Sequence, residues 1–194
     1  QPTELRILLE ASPEWLRPII GLAVFTGMRR GEILSLRYLD IDLSHGVILL
    51  PQTKNGEGKI IPVNKNARYI LESLQGGKPI ERLFPGISGA NVSVAFNRAC
   101  KKAGIENFRF HDLRHTTGSW LALSGKDIYT ISKVLGHKDL RMSARYTHLS
   151  AQYLSDATKG LDRYFEEKTE VSEVSCPQGV PAPLALIEEK SVSA

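Results

Sequence analysis

The chain has 194 residues, enough to bury one substantial core, and its 42% hydrophobic and 24% charged content is ordinary for a globular protein. Two cysteines, Cys100 and Cys176, make no disulfide framework. The longest apolar run, PIIGLAVF at 18–25, is far shorter than the roughly 20 residues of a membrane span, so a reducing cytoplasm is the expected location.

The net charge of +4 conceals an asymmetry. Residues 166–194 hold six Glu and two Lys, so residues 1–165 carry +8. A basic body of this kind suits a polyanionic partner.

In chain order, Thr3 is expected to cap a helix whose apolar positions Leu5, Leu8 and Leu9 recur at helical spacing. A second helix is expected from Pro13 to about Phe25, and GEILSL at 31–36 begins a third. The runs GVILLP at 46–51 and KIIPV at 59–63 are β-rich and joined by QTKNGEGK, whose Asn-Gly signals a turn. They predict a β-hairpin with a basic tip. Helical patterns return at 66–74, 90–104, 112–124, 127–135, 139–147 and 151–165, separated by Gly or polar breaks. The expected fold is mainly α with a small antiparallel β-sheet. Residues 166–194 read as a flexible tail rich in Glu, Ser, Pro and Val, in which PLALI at 183–187 is an apolar patch suited to docking on a hydrophobic groove.

Four stretches carry candidate chemistry. Arg29 follows a Thr-Gly break, which sets it at a helix boundary, and Glu32 lies three residues on, near enough to orient it. Arg30 competes with Arg29 for any ligand. Lys54 sits at the glycine-loosened hairpin tip. In HDLRHTTGSW at 111–120, His111, Arg114 and His115 share one face of a helix beginning near Asp112. The His-x-x-x-His spacing also occurs in metal sites, but a catalytic Glu and a third ligand are missing from this motif, and His115 reads as a core residue. In KVLGHKDLRMSARYTHLS at 133–150, Gly136 breaks a helix, His137 lies on the turn, and Tyr146 follows nine residues later. Read alone, this is a helix-turn-helix whose second helix would carry Arg141 and Arg145 into a major groove.

Together, TGMRRGEI, HDLRHT, LGH and RYTHLS resemble the boxes of the tyrosine recombinases, the phage-integrase family, at their usual spacing over about residues 3–165. The resemblance implies that family's catalytic-domain fold for residues 1–165. It implies a DNA strand-exchange enzyme with catalytic residues Arg29, Lys54, His111, Arg114, His137 and Tyr146, and Glu32 in support. Tyr146 would be the nucleophile, the arginines would hold the non-bridging phosphate oxygens, His111 would assist as acid–base, and Lys54 would protonate the departing 5′-oxygen. Arg30, Lys138, Arg141 and Arg145 are candidate DNA contacts. No metal, ATP or other cofactor is called for. The implied partner is a double-stranded recombination site bound by a homotetramer on two duplexes, with this fragment expected to be monomeric. The family also implies a separate helical core-binding domain before this one, so an excised fragment is expected.

Overall fold

The fold is built around one helix that is apolar on nearly every side. In a computed structural model, which describes residues 1–50 and 58–150 together with Lys159, the segment Arg17–Thr26 (RPIIGLAVFT) buries Ile19, Ile20, Leu22, Ala23 and Val24. A helix of this composition is stable only when other elements surround it. Lys54, the expected helix at 151–165 and the 166–194 tail with its PLALI patch lie outside the described residues.

All elements named here belong to the unit Gln1–Ala151. Helix α1 spans Pro2–Ala11. It starts one residue before the expected Thr3 cap because Pro2 takes the first helical position, where its missing N–H costs nothing. A 3-10 turn at Glu14–Leu16 leads into α2, the central helix. Gly27 ends α2 with φ +68°, a conformation that favours glycine. Helix α3 spans Arg30–Ser35. The antiparallel sheet runs in the order β1 (Ile41–Asp42), β2 (Val47–Leu50), β3 (Lys59–Pro62), with Leu50 opposite Lys59. The expected hairpin is therefore present, with one extra short strand at its edge.

Helix α4 spans Lys65–Ser73 and α5 spans Gly89–Lys102, capped by Asn64 and Ser88. Helix α6, Asp112–Leu123, packs across α2, and α7, Ile128–Leu135, packs on α6. The main core gathers α1, α2, the sheet, α4, α5 and the start of α6. A second, smaller cluster holds Ala122, Ile131, Leu135 and Tyr146.

One expected helix is not α-helical. Residues 139–147 form two 3-10 segments, Leu140–Met142 and Ala144–Ser150. The cause is local. Asp139 uses its carboxylate to accept from the Arg141 N–H, and the wholly buried Ser143 turns its hydroxyl to His137. Such side-chain bonds compete with an α-helical ladder, and the backbone closes i,i+3 bonds instead, as from Tyr146 N to Ser143 O. The helix-turn-helix reading loses its recognition helix by this.

Candidate active site

Arg29 stands at the N-cap of α3, just past the left-handed Gly27. Its guanidinium donates to Glu32 Oε1 at 2.9 Å, and its backbone N–H donates to Glu32 Oε2 at 2.8 Å. Glu32 thus holds Arg29 from two directions, while nearly half of the arginine side chain remains exposed for another partner. Arg30 reaches across to α5 and borders the same space as Arg29. Its guanidinium bonds the Ser93 hydroxyl on α5 and lies against Gly89, which ties it to the scaffold.

Arg114 is buried in α6, and it is held by backbone alone. It donates to Gly27 O at 2.7 Å and to Leu135 O, the carbonyls that close α2 and α7. The C-terminal ends of helices carry partial negative charge, so two such ends are a suitable seat for a guanidinium. Burial, and next Arg29, push Arg114 down to about 10, which leaves it charged at neutral pH. The same contacts fix its position, with further N–H groups left to aim at a ligand.

His111 is the exposed N-cap of α6, and its ring meets that of His115 edge to face at 5.1 Å. His115, which sequence reading assigned to the core, is instead half-buried, with its Nδ1 2.9 Å from the Tyr146 hydroxyl. Its Nε2 lies 3.4 Å from the Arg145 guanidinium. Burial, and then Arg145 and His111, lower its pKa and favour the neutral ring. Nothing in the sequence pairs His115 with a tyrosine 31 positions later; only the docking of the final 3-10 turn on α6 does so.

Tyr146 is buried at 3% exposure in the small cluster between α6 and α7. Its ring lies flat against Gly118, where an added Cβ would come within 2.7 and 2.8 Å of Cε2 and Cε1. Burial raises the phenol pKa, and Arg145 and Arg114 oppose that rise. His137 follows Gly136, the left-handed cap of α7 with φ +64°. Its Nδ1 is 2.7 Å from the Ser143 hydroxyl, and burial, followed by Arg114 and Arg29, lowers its pKa to about 4. A neutral His137 presents one remaining ring nitrogen to its surroundings.

Three of the expected catalytic residues meet at one cavity. Arg29, His111 and Arg114 line a space of about 490 Å³ together with Arg30, Ser93 and Arg109. Tyr146 and His137 are not on that lining; they lie on the α7 side of Arg114, near enough for its charge to act on both. Of the expected DNA contacts, Lys138, Arg141 and Arg145 are exposed, and Arg141 is paired with Asp139 at 2.8 Å. Among the described residues there is no cluster of three His, Cys, Asp or Glu able to hold a metal ion. No described helix is long and apolar enough to cross a membrane.

This arrangement has known counterparts. The model of the phage integrase family matches residues 1–153, and the chain belongs to that family, in which the tyrosine recombinases' catalytic domain recurs. Among curated relatives, the shufflon-specific DNA recombinase of Escherichia coli is 38% identical over 140 residues, covering 70% of this chain and 35% of that protein. The integrase of Salmonella phage P22 is 30% identical over 182 residues, covering 85% and 47%. The chain therefore spans between about a third and a half of the length of these relatives. The catalytic domain of bacteriophage HP1 integrase superposes with a TM-score of 0.66 at 24% identity, covering 82% of this chain and 92% of that one, and shares the fold. XerH site-specific recombinase, solved bound to its palindromic difH substrate after cleavage, matches with a TM-score of 0.63 at 26% identity, covering 80% and 51%.

Proposed function

We propose that this chain is the strand-cleaving and rejoining part of a site-specific DNA recombinase, with Tyr146 as its nucleophile. The observation that carries the reading is the meeting of Arg29, His111 and Arg114 at one cavity, with the Tyr146 hydroxyl bonded to His115 on the helix that also carries Arg114. Relatives crystallised on DNA sites, XerH among them, add support.

The phenol oxygen attacks the phosphorus of one backbone phosphodiester, and the bond to the 5′-oxygen breaks. The attack turns a monoanion into a pentacovalent state with nearly two negative charges. Arg29 and Arg114 donate to its non-bridging oxygens and stabilise that added charge, each donor contributing about 3–4 kcal/mol. The proton on Tyr146 passes to His115, which touches it, and His111 sits edge-on behind that ring at the cavity. This adds His115 to the expectation that His111 assists as acid–base. His137 offers its outer nitrogen to the phosphate, and Lys54 protonates the departing 5′-oxygen.

The products are a 3′-phosphotyrosine and a 5′-hydroxyl. A 5′-hydroxyl from a second duplex reverses the step and reseals the strand, so no energy source is consumed. Exchange between two duplexes implies four protomers, with the basic residues Arg30, Lys138, Arg141 and Arg145 as candidate backbone contacts. The work would fall where the DNA is, in the cytoplasm.

The test is covalent capture. Incubated with nicked suicide duplexes carrying a randomised core, the protein should give a DNA adduct that survives a denaturing gel, and Tyr146→Phe should abolish it while DNA binding persists. Absence of any adduct, or an adduct that survives Tyr146→Phe, overturns the assignment.

A further inference from the structure

The mechanism above leaves one buried cation unused. Lys59 opens β3, and the strand alternates so that Lys59 shares its face with the fully buried Ile61, while Ile60 is 66% exposed. The side chain therefore points inward. Its Nζ is shielded from solvent and has no hydrogen-bond partner among the described residues. An ammonium group carries three N–H donors, and leaving it buried and unpaired costs several kcal/mol. Natural chains keep such a group where an anion is due to arrive.

Its surroundings fit that reading. The lysine stem crosses Gly136, the cap of α7, so closely that a Cβ there would stand 2.9 Å from Cε and 3.0 Å from Nζ. Glycine at 136 thus does two things: it takes the left-handed turn and leaves a channel for the lysine, one residue before His137. Among the described residues, the charges acting on Lys59 are Glu32, Arg114 and Arg29. Glu32 is already engaged by Arg29 through two bonds and makes no ion pair with Lys59. Three cations against one carboxylate leave an excess of two positive charges. That excess balances a phosphate group passing through a doubly charged transition state.

We infer that Lys59 is a further phosphate ligand of the active site, donating from Nζ to a non-bridging oxygen beside Arg114. It is distinct from Lys54, which would serve the leaving oxygen. Burial, with Arg114 and Arg29 adding, holds the free lysine down at about 8. An anion seated against it should restore the ordinary range. The inference rests on the reading of this site as a phosphate site, but not on Tyr146.

The experiment follows the Lys59 side chain directly. Lysine Cε resonances are titrated with and without inorganic orthovanadate, the Lys59 signal being the one lost in Lys59→Met. The expected result is a Lys59 midpoint near 8 in the free protein that rises by at least one pH unit with vanadate bound. Vanadate affinity should fall about tenfold in Lys59→Met. Because methionine removes a buried unpaired charge and keeps the stem, that variant should melt at an equal or higher temperature; a merely structural lysine would lower it. Adduct formation should be slowed on both an ordinary phosphodiester and a bridging 5′-phosphorothiolate, whereas Lys54→Ala should be rescued by the phosphorothiolate. An unmoved midpoint, or unchanged vanadate affinity, overturns the inference. The titration, vanadate-affinity and melting readouts do not use the adduct, so loss of the Tyr146 assignment would leave them standing, and their failure would leave the adduct test intact. Lys59→Gln provides the same comparison if the methionine variant does not fold.

Discussion

Gly118→Ala is the smallest change that should disable the proposed nucleophile. The substitution suits its own helix: alanine is favoured over glycine in a helix interior by about 1 kcal/mol. The new methyl, however, would lie 2.7 and 2.8 Å from two carbons of the Tyr146 ring. Ordinary carbon contacts fall at roughly 3.5–4.0 Å, so the ring must retreat by about one ångström. It cannot do so freely, because the ring is enclosed with Ala122, Ile131 and Leu135, and its hydroxyl is bonded to His115. Overpacking of this kind costs about 1–3 kcal/mol, which offsets the helix gain and should leave the melting temperature near that of wild type or a few degrees lower. A misplacement of about one ångström at a reacting atom is worth roughly a hundredfold in rate. Gly118→Ala should therefore form the suicide-substrate adduct about a hundredfold more slowly while binding DNA as before. A wild-type rate of adduct formation would mean that Tyr146 does not react from this seat, and the role given to His115 would fall with it.

Other outcomes follow from the same geometry. Arg114→Lys keeps the charge but cannot bond Gly27 O and Leu135 O together; with one buried carbonyl left unpaired, chemical denaturation should show a loss of about 1–3 kcal/mol along with the loss of adduct. The fold holds His137 neutral down to about 4, whereas the unfolded chain protonates it near 6.5, so stability should decline as pH falls through that window; His115 is shifted in the same direction, and His137→Gln should flatten part of the decline in urea melts at pH 7.5 and 5. His115→Asn should slow adduct formation at neutral pH and remove the fall in rate that wild type shows when His115 is protonated on acidification; an unaltered pH profile would return the ring to a packing role. Asp127→Ala, which removes the cap that accepts from the Thr130 N–H at 2.9 Å, should cost about 1 kcal/mol in a thermal melt without changing the site's chemistry.

The parts of the fold that the sequence made legible are those written in local signals. The hairpin followed from two β-rich runs around Asn-Gly, and the Arg29–Glu32 pair from a spacing of three across a helix start. The parts that escaped depend on individual side-chain bonds, some to near neighbours and some between residues far apart in the chain. The segment 139–147 has an apolar and basic pattern that reads as a helix, but the outcome was decided by Asp139 and Ser143 bonding their neighbours, Ser143 to a histidine six residues back. His115 looked like a core residue because its partner, Tyr146, arrives from another element. Lys59 was hidden by its position: a lysine opening a strand is normally solvated. Its inward face became visible only once the register set it beside the fully buried Ile61 and against Gly136. Arg114 stood out as a candidate phosphate ligand from its motif, yet no pattern could reveal that its anchors are the terminal carbonyls of two other helices.

The central claim is that a phenolic oxygen attacks a phosphate held by a ring of cations, and mass spectrometry of the trapped adduct tests it most directly. After digestion by protease and nuclease, a nucleotide should remain attached through its 3′-phosphate to the peptide containing Tyr146, with a free 5′-hydroxyl on the released strand. A nucleotide on any other residue, or one joined through its 5′-phosphate, would contradict it.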